Sequence, residues 1–210
     1  MTTQENETKT VPIYSLIPLE DFKALMGIDD REDKICRYCL VTSTFSIEQY
    51  CKRRLLRKKY FERIEFYGDL ILPLGEYPVS KVLAVYVVGN EEWSVGSGEI
   101  LEPELYRVVP DCGTNEDMPF SLSLSPALQR YRGLSAIKTV YWAGYAQNKV
   151  PVDLASACFE LAAWNMNRYR GRRIGMTGNV RGGGRDGEHF ELSMPENVKM
   201  LLEPYRRKVI

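Results

Sequence analysis

The sequence is poor in the side chains from which catalytic sites are most often built. Its 210 residues contain one histidine, His189, which lies beside a Gly-rich stretch. A Ser/His/Asp or Cys/His site would have to use this single imidazole. The Gly-x-Ser-x-Gly motif of a nucleophile elbow is absent as well. A surface histidine is the better interpretation, and we predict that the chain is not an enzyme, with no catalytic residue and no cofactor.

Cysteine is scarce and odd in number, with five residues spread along the chain. This usage favours reduced thiols over a disulfide framework. Cys36 and Cys39 have C-x-x-C spacing, but zinc would need two further ligands. No second paired spacing occurs among the other candidates: Cys51, Cys112, Cys158 and His189. On a helix the pair can simply belong to the core, and a thioredoxin-like motif would follow a strand. We predict no metal site.

The chain has a formal net charge of +0, and it has no long run of apolar residues. Lys and Arg number 28, as do Asp and Glu, so no overall charge draws the chain to nucleic acid or membrane, and any basic function must be local. The longest apolar run, Val82 to Val88, is too short to span a bilayer. Met1 to Thr10 is polar and unlike a signal peptide. We expect no membrane partner and synthesis in the cytoplasm.

The pattern of apolar residues predicts helices on both sides of a β-rich middle. Pro18, followed by acidic residues, starts a helix that stops at Gly27, and a longer helix runs to about Arg54. Val79 to Val88 is the strongest strand signal, and Glu91 to Val95 is predicted to return as a hairpin.

We therefore predict an α+β fold, mainly an α-helical bundle with an antiparallel β insertion between the second and third helices. A flexible N-terminal arm at 1–15 precedes a single domain at 16–210. The predicted parts of that domain are helices at 18–54, the β insertion at 58–145, a helix at 151–170, a Gly/Arg-rich loop at 171–189 and a C-terminal helix at 194–206.

Five short strings stand in a characteristic order. They are Leu19 to Asp29 (LEDFKALMGID), Ile47 to Leu55 (IEQYCKRRL), Leu72-Pro73-Leu74 with Tyr77-Pro78-Val79, Tyr141 to Tyr145 (YWAGY) with Val150-Pro151, and Met194-Pro195-Glu196 with Leu201 to Arg206 (LLEPYR). In order and spacing they resemble the phage head–tail connector family, also called head-completion or DNA-packaging adaptor proteins. The resemblance covers roughly Leu16 to Arg207. The stretch from Gly89 to Ser135 is longer than in the compact members, which predicts a larger β platform.

The resemblance implies a structural subunit of a phage or prophage head–tail connector. Such a subunit forms a homo-oligomeric ring, expected to be twelvefold to match the portal. It docks on the portal protein, closes the packaged head and presents a surface to a tail-completion or second connector protein. Its place is the virion, after assembly in the bacterial host cytoplasm.

The Gly/Arg-rich loop is the first candidate for partner contacts. Either it is a solvated loop, or it orders on assembly against the portal, a neighbouring subunit or DNA in the channel, because arginine suits protein interfaces and phosphates equally. The C-terminal tail is the second candidate. The predicted interface residues are Arg172, Arg173, Arg181 and Arg185 in the loop, and Tyr205, Arg206 and Arg207 in the tail.

Two further patterns leave alternatives open. The run Lys52-Arg53-Arg54 with Arg57-Lys58-Lys59 caps a helix end or faces the DNA channel of a ring. Tyr141, Trp142 and Tyr145 are interpreted as packing residues, because only Lys138 lies near them in sequence and a base-stacking platform needs interleaved cations. The competing functions are a DNA-binding accessory protein that uses the basic Gly/Arg loop, and a hydrolase or metal enzyme of unrecognised type.

Overall fold

The computed structural model describes residues 13–89, 98–110, 119–133, 135–171 and 194–207. These residues form two compact units. One consists of the described parts of Met1–Lys52 and Val150–Ile210, and the other of the described parts of Arg53–Lys149. The first unit is helical and the second is built from antiparallel sheets. The α+β class predicted from the sequence is confirmed.

The described part of the first unit contains four α-helices. Their bounds are α1 Leu19–Met26, α2 Asp33–Cys51, α3 Val152–Arg170 and α4 Glu196–Leu202. α1 begins after the extended residue Pro18 and carries Glu20 and Asp21 in its first turn, where carboxylates favour the positive end of the helix. It ends at Gly27, whose φ of 63° is the left-handed conformation that terminates helices. The predicted cap is confirmed.

α2 is shorter than the sequence pattern predicted. It ends at Cys51 and does not reach Arg54, because Lys52 adopts the left-handed conformation with φ of 54°. The Lys52 N–H then bonds to the carbonyls of Gln49 and Glu48, which closes the last turn. Arg53 and Arg54 consequently lie outside the helix, and the expectation that they cap it as last-turn cations is wrong.

The described helices pack against one another through buried apolar side chains. α2 packs against α1, α3 and α4, and α3 also packs against α4. The fully buried side chains of this unit include Leu16, Phe22, Leu40, Ile47, Leu154, Met166, Val198 and Leu202. The terminal helix predicted at 194–206 is regular only over α4 and continues as the 3-10 turn Glu203–Tyr205, because Pro204 lacks the N–H that another α-helical bond would need.

The second unit contains two antiparallel sheets. The strands are β1 Lys58–Glu65, β2 Ile71–Pro73, β3 Val79–Gly89, β4 Glu99–Ile100, β5 Tyr106–Pro110, β6 Pro119–Leu124 and β7 Ser135–Ala143. One sheet has the order β1-β7-β3-β4 and the other the order β2-β6-β5. Side chains of both sheets, among them Val85, Leu122 and Tyr141, meet in one buried cluster.

The strand predictions agree with this architecture where the structure describes the chain. The run Val79 to Val88 is β3, the longest described strand. The predicted hairpin at Glu91 to Val95 lies outside the described residues. β7 pairs with both β1 and β3, which brings together residues that are 71 to 85 positions apart in the first pairing and 46 to 64 positions apart in the second. That pairing positions the surface discussed below.

Candidate functional site

The predicted interface residues fall into two groups. The four loop arginines, Arg172, Arg173, Arg181 and Arg185, lie outside the described residues, so their interface role stays a prediction. Tyr205, Arg206 and Arg207 are described and follow α4. They belong to the helical unit.

The C-terminal tail packs on the end of α2 through a small polar cluster. The guanidinium of Arg206 lies 5.3 Å from the ring centroid of Tyr50, and its Nη1 contacts the two Glu203 carboxylate oxygens at 3.2 and 3.3 Å. The Tyr50 hydroxyl donates a 3.1 Å hydrogen bond to Glu203. Burial, and then this hydrogen bond, raise the pKa of Tyr50, so the phenol stays a donor at neutral pH.

The neighbouring residues fix the same segment. The backbone N–H of Arg207 donates to the Cys51 carbonyl at 2.9 Å, which satisfies an acceptor in the last turn of α2. The ring of Tyr205 is buried, whereas Arg206 keeps about two fifths of its side chain exposed. The tail is therefore held by contacts within the chain itself, and the side chain of Arg206 is partly exposed; a role of these residues in partner contacts stays a prediction.

The C-x-x-C pair has the environment of a core, as expected. Cys36 and Cys39 are buried in α2. Burial raises the pKa of both thiols, for Cys39 to about 11, so neither is a thiolate at neutral pH. Within the described ranges, no group of His, Cys, Asp and Glu has the arrangement of a metal site. His189 and Cys112 lie outside those ranges.

The basic run after α2, which includes Arg53, Arg57 and Lys59, contains both buried and exposed side chains. Arg53 is buried, with its guanidinium stacked 3.7 Å from the ring centroid of Tyr77 and its Nη2 donating to the Tyr77 carbonyl at 2.7 Å. It holds the turn before β3 and is not available to a partner. Arg57 and Lys59 are exposed on the same unit.

Those two exposed cations lie on one face of the four-stranded sheet. The guanidinium of Arg57 lies 5.1 Å from the ring centroid of Trp142, and the Lys59 Nζ lies 5.1 Å from that of Phe61. In the sheet, Lys59 is directly opposite Trp142, and Trp142 is opposite Lys81. Residues directly opposite in an antiparallel sheet share a face. The surface made by Arg57, Lys59, Phe61, Lys81 and Trp142 is called the cation–aromatic face below.

This face corrects the interpretation of the aromatic string at Tyr141 to Tyr145. Tyr141 and Tyr145 are buried, as packing residues should be. Trp142, however, is half-buried, has the Arg57 guanidinium over its ring, and lies in register with Lys59 on one neighbouring strand and Lys81 on the other. Sequence reasoning missed Lys81 as a functional candidate. For the face as a whole, the only local signal in the sequence was the i, i+2 spacing of Arg57, Lys59 and Phe61.

A second surface is an open groove in the helical unit. Its volume is about 580 Å³, and the residues that line it are Arg31, Glu32, Lys34, Ile35, Tyr38, Tyr169 and Arg170. Tyr38 and Tyr169 are exposed there. Arg170 ends α3 and pairs with Glu32 at 2.6 Å, at the point where the chain enters the predicted Gly/Arg-rich loop. The mixture of aromatic rings and both signs of charge suits a protein contact.

None of the described helices combines the length and the hydropathy needed to cross a membrane. No protein-family model and no curated protein matches the sequence.

The fold is similar to that of chains in solved structures of gene transfer agent particles. A chain in the neck of an empty particle, computed with C6 symmetry, aligns with a TM-score of 0.56 and 21% identity over 93% of this chain and 91% of that chain. A chain in the virion of the native particle gives 0.56 and 20% over 96% and 95%. A chain in the native neck, computed with C12 symmetry, gives 0.52 and 20% over 93% and 91%. The likeness extends over nearly the whole of each chain and is one of fold.

Proposed function

We propose that this chain is a non-enzymatic, ring-forming subunit of the head–tail neck of a tailed phage, a prophage or a related particle. The observation that carries the proposal is the likeness of fold, over more than nine tenths of the chain, to chains of gene transfer agent necks. The independent resemblance of the sequence strings to head–tail connectors supports the same role. In this role the chain is one connector domain in which the sheets form an insertion between α2 and α3.

A twelvefold ring on the portal is the assembly we propose. The neck of the native particle to which this fold is similar was computed with C12 symmetry, which supports the number. The subunit would close the packaged head, offer a surface to a tail-completion or second connector protein, and become part of the virion. The Gly/Arg-rich loop and Arg206 are the proposed contacts with neighbours, because arginine forms ion pairs and stacks at protein interfaces.

The first experiment is light scattering after size-exclusion chromatography over a concentration series, alone and with the portal ring of the same phage. We expect a species with the mass of twelve chains, free or bound to the portal. Deletion of residues 172–188 should abolish it.

Two variants that keep the full length of the loop test the chemistry of its arginines, which the deletion does not isolate. Arg172, Arg173, Arg181 and Arg185 are changed together to Gln in one variant and to Lys in the other. We expect the Gln variant to lose the ring and the Lys variant to keep part of it, with both retaining the circular dichroism of the parent. A protein that stays monomeric at every concentration and does not bind the portal ring would contradict the proposal.

A DNA-binding accessory role through the Gly/Arg-rich loop remains the second candidate from the sequence. Its residues lie outside the described ranges, so no contact of the structure favours it.

A further inference from the structure

The cation–aromatic face concentrates positive charge on a chain whose net charge is +0. Arg57, Lys59 and Lys81 are exposed. Among the described residues, no ion pair joins any of the three to a carboxylate. Glu62, the acidic residue of β1 nearest to them, contacts the Tyr141 hydroxyl and the Gly75 N–H on the other face of the sheet. The face is therefore a local cationic patch.

The sheet fixes the spacing of these cations. Lys59 and Lys81 lie on β1 and β3, with β7 between them, so their backbones are about 10 Å apart. Arg57 precedes Lys59 by two residues, about 7 Å along the chain. The backbones of Lys59 and Lys81 belong to one hydrogen-bonded sheet, and the Arg57 N–H bonds to the Tyr145 carbonyl at 2.9 Å, just beyond the end of β7. The spacing of the three backbones therefore does not have to be ordered on binding.

The aromatic rings hold the cations in place. The Arg57 guanidinium lies over the ring of Trp142, and the Lys59 ammonium lies over the ring of Phe61. Phe61 is 55% exposed. Cation–π contacts of this kind are worth about 0.5–1 kcal/mol at exposed positions and restrict long side chains. Since a cation already lies over each ring, the rings serve to position charge and are less open to stacking with bases.

The chemistry of the patch fits a regular array of phosphates. It has three exposed cations, two of which lie over aromatic rings, and neither of the two described grooves is lined by any of them. Double-stranded DNA presents a negative charge for about every 1.7 Å of its axis. A patch about 10 Å wide therefore meets several phosphates in any rotational setting. We propose that the cation–aromatic face binds the phosphate backbone of double-stranded DNA without reading its sequence.

This inference does not depend on the proposed neck role. A ring would repeat the face around its axis and multiply a weak contact. The isolated subunit would show the contact by itself, however, so the two proposals can fail separately.

The test measures binding of the full-length chain to a fluorescein-labelled 20-base-pair duplex by anisotropy at several salt concentrations. Three phosphate contacts predict a slope of about −2.7 in the logarithm of affinity against the logarithm of salt. Lys59→Gln and Lys81→Gln should each reduce the slope by about 0.9 and weaken binding about eightfold at 0.1 M salt, which is the counterion-release contribution of one contact.

Lys58→Gln is the matched control. Lys58 is an exposed lysine of the same strand, one residue from Lys59, and it pairs with Ala143, a residue of the core cluster. Its side chain therefore belongs to the opposite face. The control removes the same charge and should leave both affinity and slope within twofold of the parent. Circular dichroism and the unfolding midpoint verify that all three variants fold.

Three results would overturn the inference. The first is equal binding by K58Q, K59Q and K81Q. The second is a single strand bound more tightly than the duplex, because that would indicate base stacking. The third is poly-glutamate bound as tightly as DNA with the same loss in K59Q and K81Q, because that would identify an acidic protein as the partner.

Discussion

The hydroxyl of Tyr141 donates a 2.7 Å hydrogen bond to a carboxylate oxygen of Glu62. The same carboxylate accepts the backbone N–H of Gly75 at 3.0 and 3.1 Å, and the Tyr141 oxygen accepts the N–H of Glu76 at 3.2 Å. Tyr141 is 1% exposed, and burial, followed by the bond to Glu62, raises its pKa. This network ties the turn after β2 to the four-stranded sheet.

Tyr141→Phe should lower the free energy of unfolding by about 1–2 kcal/mol, since it removes the hydrogen bond that the buried phenol donates to Glu62 and the one that it accepts from the Glu76 N–H. Urea unfolding gives the value. Tyr131→Phe is the control, because it removes an exposed hydrogen bond to Glu99 of 2.8 Å and should cost less than about 0.5 kcal/mol. Equal losses in both variants would show that burial does not govern this network.

Gly144→Ala should be among the most destabilising small substitutions in the chain. Gly144 has φ of +93°, and an added Cβ would lie 2.7 Å from the backbone carbonyl of Leu56. Strain and overlap together should cost at least about 2 kcal/mol.

Gly27→Ala provides the comparison for that glycine. Gly27 also has a positive φ, of +63°, but an added Cβ meets nothing within 4 Å. Its cost should be about 1–2 kcal/mol, from conformation alone. Thermal unfolding of both variants measures the difference. A Gly144→Ala protein as stable as Gly27→Ala would contradict the close backbone approach.

The ion pairs of the buried Lys23 ammonium should make the free energy of unfolding fall at acid pH. Its ammonium binds Asp33 at 2.6 Å and also Asp30. The hydrogen bond to Lys23 lowers the pKa of Asp30 below its ordinary 3.8. The contribution is therefore complete above about pH 4 and is lost as pH falls through the lowered pKa. The hydrogen bond to Asp30 is the main reason that the pKa of Lys23 is raised above 10.5. The stabilisation is therefore also lost at basic pH, but only above that value.

Lys23→Met isolates this contribution. The difference in urea midpoint between parent and K23M should be constant from about pH 5 to pH 9 and shrink towards pH 3. Lys34→Met, a change at an exposed lysine of α2, should show no such trend. A difference that grows on acidification would reverse the sign of the argument.

The thiols of the helical core should be inert while the chain is folded. Burial raises the pKa of Cys39 and Cys158 to about 11 from 9.0, which lowers the thiolate fraction at pH 8 about a hundredfold. We expect Ellman's reagent to leave Cys36, Cys39, Cys51 and Cys158 unmodified over minutes, and to modify them on unfolding, as peptide mapping would show. Rapid reaction of Cys36 with Cys39, or bound zinc after purification, would restore a redox or metal role.

The sequence predicted those helices and strands whose ends are determined by neighbouring residues. Gly27 ends α1 because only a residue tolerant of positive φ fits there, and the β-branched run from Val79 is a strand. Lys52 is different. It adopts positive φ without being Gly or Asn, so the pattern of last-turn cations predicted a helix three residues too long.

Long-range register explains what the sequence could not reveal about the candidate sites. Arg53 is buried by Tyr77, 24 residues later, and Trp142 meets Lys81 only through the pairing of β3 with β7. That pairing has irregularities between Val79 and Lys81 and between Val82 and Ala84, which break the alternation of faces. The face of Lys81 could not be assigned from spacing. The tail residues were predicted as contacts on the expectation of a flexible tail, whereas Tyr205 is buried; their role as contacts with neighbours stays a prediction.

The position of β1 at the edge of its sheet affects how copies of the chain meet one another. β1 is an outer strand of its sheet, and an outer strand is a template on which a second copy can begin to aggregate. A chain with zero net charge has no long-range repulsion to keep copies apart. Five of the eight β1 residues are charged, and stripping water from them opposes edge-to-edge growth. The charged side chains of β1 should therefore keep this outer strand from pairing with the same strand of a second copy, even though the net charge of the chain is zero.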